Sequence, residues 1–350
     1  MQGSGSSLRF FAITNKEQAV GFFANRNHFA AQLYVGLAFV GVWLASSINR
    51  LIQSRSFHTS ATLSLAGAVG FLLVLTAGLA MARSRAGILI AMVVLCGVGT
   101  MALVSRDACA GRATRLRIRT VLTILSFSLL LTLQFGLTQI ISRFQTEVAD
   151  DLRWSLNLAT SSAVVSALPL GTGLGSFPRV YGVIEDPRAS FSAYVNRAHN
   201  DLAELLLESG VLGLALIVLF SVWFIRRAIA CWSAQPPGTD ELYVSLQRAA
   251  SLAIGGMLIH SLVDYGLRTT SLSTLFAFAC GLLTRPPAGI QGGSRRPYTP
   301  DKRTRQRPRP VRDDAAKDAP ASPQPPPAWV APAAGWPVGW TSPPARSSSE

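Results

Sequence analysis

Seven apolar runs separated by short polar stretches make up most of the chain between residues 29 and 283. They occupy residues 29–47, 61–82, 86–104, 120–141, 202–225, 246–263 and 270–283. A hydrocarbon core of about 30 Å needs about 20 apolar residues in a helix, so most of these runs are long enough to span it and the last is short. The pattern predicts an all-α polytopic membrane protein of about seven transmembrane helices. It divides the chain into an N-terminal segment (1–28), four helices (29–141), one large loop (142–201), three more helices (202–284) and a tail (285–350).

Composition supports that division and corrects a first impression from charge. Only 14% of the 350 residues are charged and 49% are hydrophobic, whereas a soluble domain carries about 25% charged residues. The formal charge of +14 would suit a nucleic-acid partner. However, 11 of the 32 Lys and Arg lie after Thr284, together with 15 of the 20 prolines. A tail of that composition cannot bury a core and is expected to be a disordered cytoplasmic extension, with contact to anionic membrane lipids as a lesser role. No nucleic-acid partner is expected. Cys96 and Cys280 fall within apolar runs, Cys109 and Cys231 in loops assigned to the cytoplasm, so no disulfide framework is expected.

Orientation follows from the basic residues of the short loops. Residues 106–119 hold Arg106, Arg112, Arg115, Arg117 and Arg119 against one acid, and residues 48–60 hold Arg50 and Arg55, so both loops are assigned to the cytoplasm. Arg226 and Arg227 end the fifth run, and the seventh leads into the basic tail, in agreement. Seven spans then place the N-terminus outside, and with it the polar clusters at Asn25 to His28, Ser84 and Arg85, 142–201, and Asp264 to Arg268. The 142–201 loop, with five Arg and no Lys, is the one large enough to hold a site. The polar start MQGSGSSLRFFAITNKEQ reads as the interior of a longer loop, so further spans are expected upstream.

Several motifs fall in that outer set: NRNHFA (Asn25 to Ala30), SRAG (Ser84 to Gly87), GTGLGSF (Gly171 to Phe177) followed by Tyr181, HNDLAELLLESGVLGLAL (His199 to Leu216) and HSLVDYGLR (His260 to Arg268). In this order and spacing the chain resembles the O-antigen ligase and O-antigen polymerase superfamily over about residues 22–284, lacking N-terminal spans. The resemblance implies an all-helical membrane fold in the bacterial inner membrane, multi-pass, with its active site in a large periplasmic loop. It also implies transfer of a glycan from undecaprenyl diphosphate to an acceptor without a metal or other cofactor. By motif, the family's loop histidine corresponds to His199 and its two arginines to Arg85 and Arg153. Arg143 and Arg179 are alternatives to Arg153.

The residue types suit that chemistry. Arginine donates in pairs to phosphate oxygens and keeps its charge, as a clamp on a diphosphate requires; at a span end, Arg85 also has a plain reading as an interfacial anchor. His199 precedes Asn200 and Asp201, which can cap a helix starting near Leu202, and the positive end of that helix suits an anionic diphosphate. As general base, His199 would accept the proton of the acceptor hydroxyl, giving inversion at the anomeric carbon. His260 and Asp264, four apart, are expected on one face of the sixth helix as a hydrogen-bonded pair. Glu204 and Glu208 share a face likewise, and one of them is expected to meet an arginine. His28, with Asn25 and Asn27, either lines the same vestibule or caps the first span. Gly171, Gly173 and Gly175 read as a sharp re-entrant turn holding the loop against the membrane, with backbone donation to phosphate as a second role. Asn200, Asp201, Glu208, His260, Asp264 and Arg268 complete the supporting set. The scattered histidines offer no metal motif, and no phosphate-binding GxxxxGK[ST] occurs.

The expected partners are therefore an undecaprenyl-diphosphate-linked glycan, a lipid A core or polysaccharide acceptor, and membrane lipid. A polymerase of the same superfamily would perform the same step on a different acceptor. A transporter would place charge near the bilayer midplane, whereas the runs here are apolar at their centres. A non-catalytic remnant of the ligase fold is the remaining alternative.

Overall fold

Each of the seven apolar runs becomes a helix, and no strand occurs among the described residues. The structure is a computed structural model. It describes residues 18–53, 59–104, 112–143, 148–185, 195–233 and 239–284. All of them lie in one compact unit, Met1–Gly293; a second unit, Ser294–Glu350, holds none of them. The expectations for residues 1–17, for the stretch 106–111 and for the tail fall outside the described residues.

The helices are α1 (Arg26–Gln53), α2 (Thr59–Ala82), α3 (Arg85–Val104), α4 (Arg112–Arg143), α5 (Val148–Ala167), α6 (Phe177–Ile184), α7 (Asp201–Trp232), α8 (Glu241–His260) and α9 (Thr270–Leu283), with a 3₁₀ turn at Gly266–Arg268 before α9. Among the described residues α1, α2, α7 and α8 are long and apolar enough to cross a membrane, and α3, α4 and α9 contribute shorter apolar stretches. The large loop holds two helices, α5 and α6, rather than irregular chain. Cys231, expected in a loop, lies in the last turn of α7.

α1 is the centre of the bundle, packing on α2, α3 and α8. Small residues let the backbones approach, since apolar side chains alone give helices no reason to associate in lipid. A Cβ on Gly41 would come within 2.3 Å of Val98 Cγ1, and one on Gly36 within 3.1 Å of Leu75 Cδ1. Ala30, Ala38 and Tyr34 are fully buried along the same helix. Hydroxyls join the helices where they meet, as between Thr76 Oγ1 and Ser128 Oγ at 2.8 Å. A separate small core of Leu156, Ala163, Phe177, Tyr181, Ala198 and Leu207 fixes α5 and α6 to the start of α7.

Two helix ends decide where the polar residues go. α8 stops at His260, and Asp264 lies in the turn beyond it, its N–H donating to His260 O at 3.0 Å, but the two side chains take different partners. The His260 ring meets the Tyr34 hydroxyl at 3.3 Å, while the Asp264 carboxylate turns elsewhere. α7 is broken at Gly210, whose φ of 55° and ψ of −135° are not helical. The freed groups find partners in the glycine-rich turn: Thr172 N–H donates to Leu207 O at 2.9 Å, Gly173 N–H to Glu208 O at 3.0 Å, and Val211 N–H to Pro169 O at 2.9 Å. The turn thus completes the broken helix, because a buried backbone group without a partner is costly.

Candidate functional site: a histidine pair and an arginine hub

The site forms because the start of α7 is fastened to the turn after α8. Asn200 caps α7, its Oδ1 accepting from Leu202 N at 3.1 Å and Ala203 N at 3.0 Å. Asp201 N–H donates to Ser261 O at 2.8 Å. The Asp201 Oδ2 accepts from Ser261 Oγ at 2.9 Å and from Leu267 N at 3.0 Å. These bonds bring residue 199 beside residue 264. His199 itself has a φ of 52°, one of two positive values outside glycine among the described residues. That left-handed conformation costs about 1–3 kcal/mol and persists only where neighbours enforce it.

Asp264 is the centre of the first cluster and is 1% exposed. His199 Nδ1 is 3.2 Å from its Oδ1. His28 Nε2 lies 3.6 Å from the same oxygen, an ionic distance longer than a hydrogen bond. Asn25 Nδ2 donates to Oδ2 at 3.1 Å, Asn27 Nδ2 also donates to Oδ2, and Tyr265 N–H donates to Oδ1 at 2.8 Å. Burial alone would raise this carboxyl, but the imidazoles of His199 and His28 outweigh it and hold the group well below the usual carboxylate range. The Tyr265 ring stands edge-on between the two imidazoles, 4.8 Å from each. From this centre a relay leads to the α2–α3 turn: Ser84 Oγ donates to Asn27 Oδ1 at 2.8 Å and accepts from Gly87 N at 3.1 Å. The turn that bears half-buried Arg85 and the loop that bears His199 are therefore tied to one carboxylate.

Arg268 is the centre of the second cluster. Its Nη1 lies 3.2 Å from Glu204 Oε1 and 3.0 Å from Glu208 Oε2, and its Nε lies 3.8 Å from Asp201 Oδ1. Arg197 Nη1 meets Glu204 Oε1 at 2.9 Å, and Ala198 N–H donates to Glu204 Oε2 at 3.0 Å. Gly175 N–H donates to Glu208 Oε1 at 2.9 Å. Both glutamates are fully buried on the first segment of α7, so these partners are what makes their charge tolerable there.

The structure thus gathers His28, His199, Asn200, Asp201, Glu208, Asp264 and Arg268 in neighbouring elements together with Asn25 and Asn27, and adds Arg197 and Tyr265, which sequence reasoning did not assign to the site. The RAHN stretch upstream of α7 carried no signal for Arg197, because its partner Glu204 lies on the helix that follows. Arg153 lies in α5, with its side chain outside the described residues, as is that of Arg143. The loop glycines use their N–H groups inside the protein: Gly171 on Ala167 O at 2.8 Å, Gly173 on Glu208 O and Gly175 on the Glu208 carboxylate. That leaves these three groups no donor for a phosphate.

Residues 69–218 match the family model described as O-antigen ligase. That match, over 150 of the 350 residues, supports the O-antigen ligase superfamily. The matched O-antigen ligase segment runs from α2 to the middle of α7 and contains Arg85, the glycine turn, His199, Glu204 and Glu208. It stops short of Asp264 and Arg268 and begins after His28, so the fold completes the O-antigen ligase region with residues from both flanks. No curated protein and no solved structure matches the chain. The family and the apolar helices make this a membrane protein of polysaccharide biosynthesis.

Proposed function

We propose that the protein is a membrane glycosyltransferase of O-antigen ligase type, transferring a glycan from undecaprenyl diphosphate to a hydroxyl of lipid A core or of a growing polysaccharide at the periplasmic face of the inner membrane. The observation that supports this most is the His199–Asp264 pair: Nδ1 of the imidazole rests on a buried carboxylate, while the side chain keeps 27% of its surface exposed. A proton on Nδ1 shared with Asp264 leaves the Nε2 lone pair as the acceptor. The orienting carboxylate then stabilises the imidazolium that forms.

In the proposed step the acceptor oxygen attacks the anomeric carbon from the side opposite the diphosphate. The new C–O bond forms as the bond to the diphosphate oxygen breaks, and the hydroxyl proton passes to His199 Nε2. Undecaprenyl diphosphate leaves with the bonding pair, and a single displacement inverts the anomeric centre. Arg85 and Arg153 are assigned to the departing diphosphate, where their charge meets the charge that develops. No metal takes part in this scheme. A polymerase would use the same groups on a polysaccharide acceptor.

Replacing His199 with Ala should abolish surface glycan in a complementation assay at unchanged protein level. Wild-type glycan from that variant would remove His199 from the chemistry.

A further inference from the structure

Leu170, Val183 and Leu174 are 86%, 85% and 82% exposed, the most exposed large hydrophobic side chains among the described residues. A single exposed leucine is ordinary, so their exposure matters only through where they lie against the membrane. The backbone bonds of the glycine turn set that level, since they join residues 169–173 to residues 207–211 of α7.

After the break at Gly210, α7 is apolar and faces outward, with Leu212 77% exposed and Leu216, Leu219, Val222 and Ile225 exposed as well. Arg226 and Arg227 end that stretch. A hydrocarbon core takes about 17–20 residues of helix. Counted back from Ile225, that span reaches roughly residues 206–209. The hydrocarbon edge therefore falls at the part of α7 to which the glycine turn is attached. Non-helical backbone is tolerated at such depth only when its polar groups are satisfied by protein. Much of the turn meets that condition: the N–H groups of Gly171, Thr172, Gly173 and Gly175 donate internally, Ser176 Oγ donates to Gly173 O at 2.6 Å, and Thr172 Oγ1 bonds Ser176 Oγ.

We infer that Leu170 and Leu174 insert among the lipid acyl chains of the leaflet on the His199 side, making the glycine turn a re-entrant lip that extends the apolar band of α7. The occupant of this surface is bilayer lipid. The lip fixes the first segment of α7, and with it His199 and the arginine hub, at the depth of the lipid headgroups. The inference needs only that α7 spans the membrane, so it stands apart from the transfer chemistry.

The test uses the full chain in phosphatidylethanolamine and phosphatidylglycerol vesicles, with Cys96, Cys109, Cys231 and Cys280 replaced by Ala. One new cysteine at a time, Leu170→Cys or Leu174→Cys, carries an environment-sensitive fluorophore. Leu219→Cys serves as the lipid-facing reference and Thr239→Cys as the aqueous one, and each variant is checked for an unchanged melting temperature. Label at either lip position should be quenched by doxyl-labelled lipid and spared by iodide, as at Leu219. Quenching by iodide at both, as at Thr239, would overturn the inference. Protection from both quenchers would overturn it too, since a second copy of the chain would then cover the patch.

Discussion

At the scale of single residues the site rests on Asp264. Its carboxylate takes hydrogen bonds from two asparagines and a backbone N–H and supports two imidazoles, so it is held ionised despite being buried. Replacing it with Asn presents an amide donor to His199 Nδ1 and disfavours the tautomer with a free Nε2. Transfer should then fall roughly 10²-fold or more, and the lower limb of the pH–rate profile should move, which a purely structural role would not cause. The depressed carboxyl also has a consequence for stability. Its contribution is present above the unfolded value of about pH 4 and is lost as acid protonates it in the folded protein at lower pH. Acid unfolding of the Asp264→Asn variant, followed by helix content, should lack that limb; an unchanged acid profile would contradict the assignment. The sequence named Asp264 and His199 but paired Asp264 with His260. The reason is physical: a spacing of four sets two residues one turn apart but does not choose their partners, and the fold brings Tyr34 to His260 and His199 and Asn27 to Asp264.

At the scale of elements, the break in α7 does the positioning. It separates a short segment bearing Asp201, Glu204 and Glu208 from a long apolar one, and it is sealed by the glycine turn. A Cβ on Gly210 would lie 2.2 Å from Pro169 O, and the residue has a φ of +55°. By contrast Gly173, at φ +97°, has no atom within 4 Å of where its Cβ would be. Gly210→Ala should therefore destabilise the protein by more than about 1 kcal/mol, and by more than Gly173→Ala does. Thermal melting of the two variants checks the order, and equal melting temperatures would contradict it. The seven helices were legible in the sequence because lipid demands continuous apolar runs. The break was not, because Val211 to Leu216 continue the apolar pattern past Gly210. The helices α5 and α6 were also hidden, since 142–201 mixes polar and apolar residues without a strong period. The arginine that meets Glu204 and Glu208 could not be named beforehand, because Arg268 reaches them only through the fold of the turn between α8 and α9.

At the scale of the whole molecule, segments far apart in the chain meet at one end of the helices. The start of α1 supplies His28 and Asn27, the α2–α3 turn supplies Ser84, the large loop supplies His199, and the turn after α8 supplies Asp264 and Arg268. The charge rule sets those same stretches on one side of the membrane without reference to any contact, which is why the site was legible as a set though its pairings were not. The central claim is that this convergence transfers glycan from a lipid diphosphate with His199 as the proton acceptor. The most direct measurement reconstitutes the full chain with an undecaprenyl-diphosphate-linked glycan and a hydroxyl acceptor, and follows released undecaprenyl diphosphate and glycosylated acceptor together. The wild type should form the two in equal amounts, and His199→Ala, folded to the same melting temperature, should lose about 10²- to 10⁴-fold in rate. Equal rates from the two proteins would contradict the account.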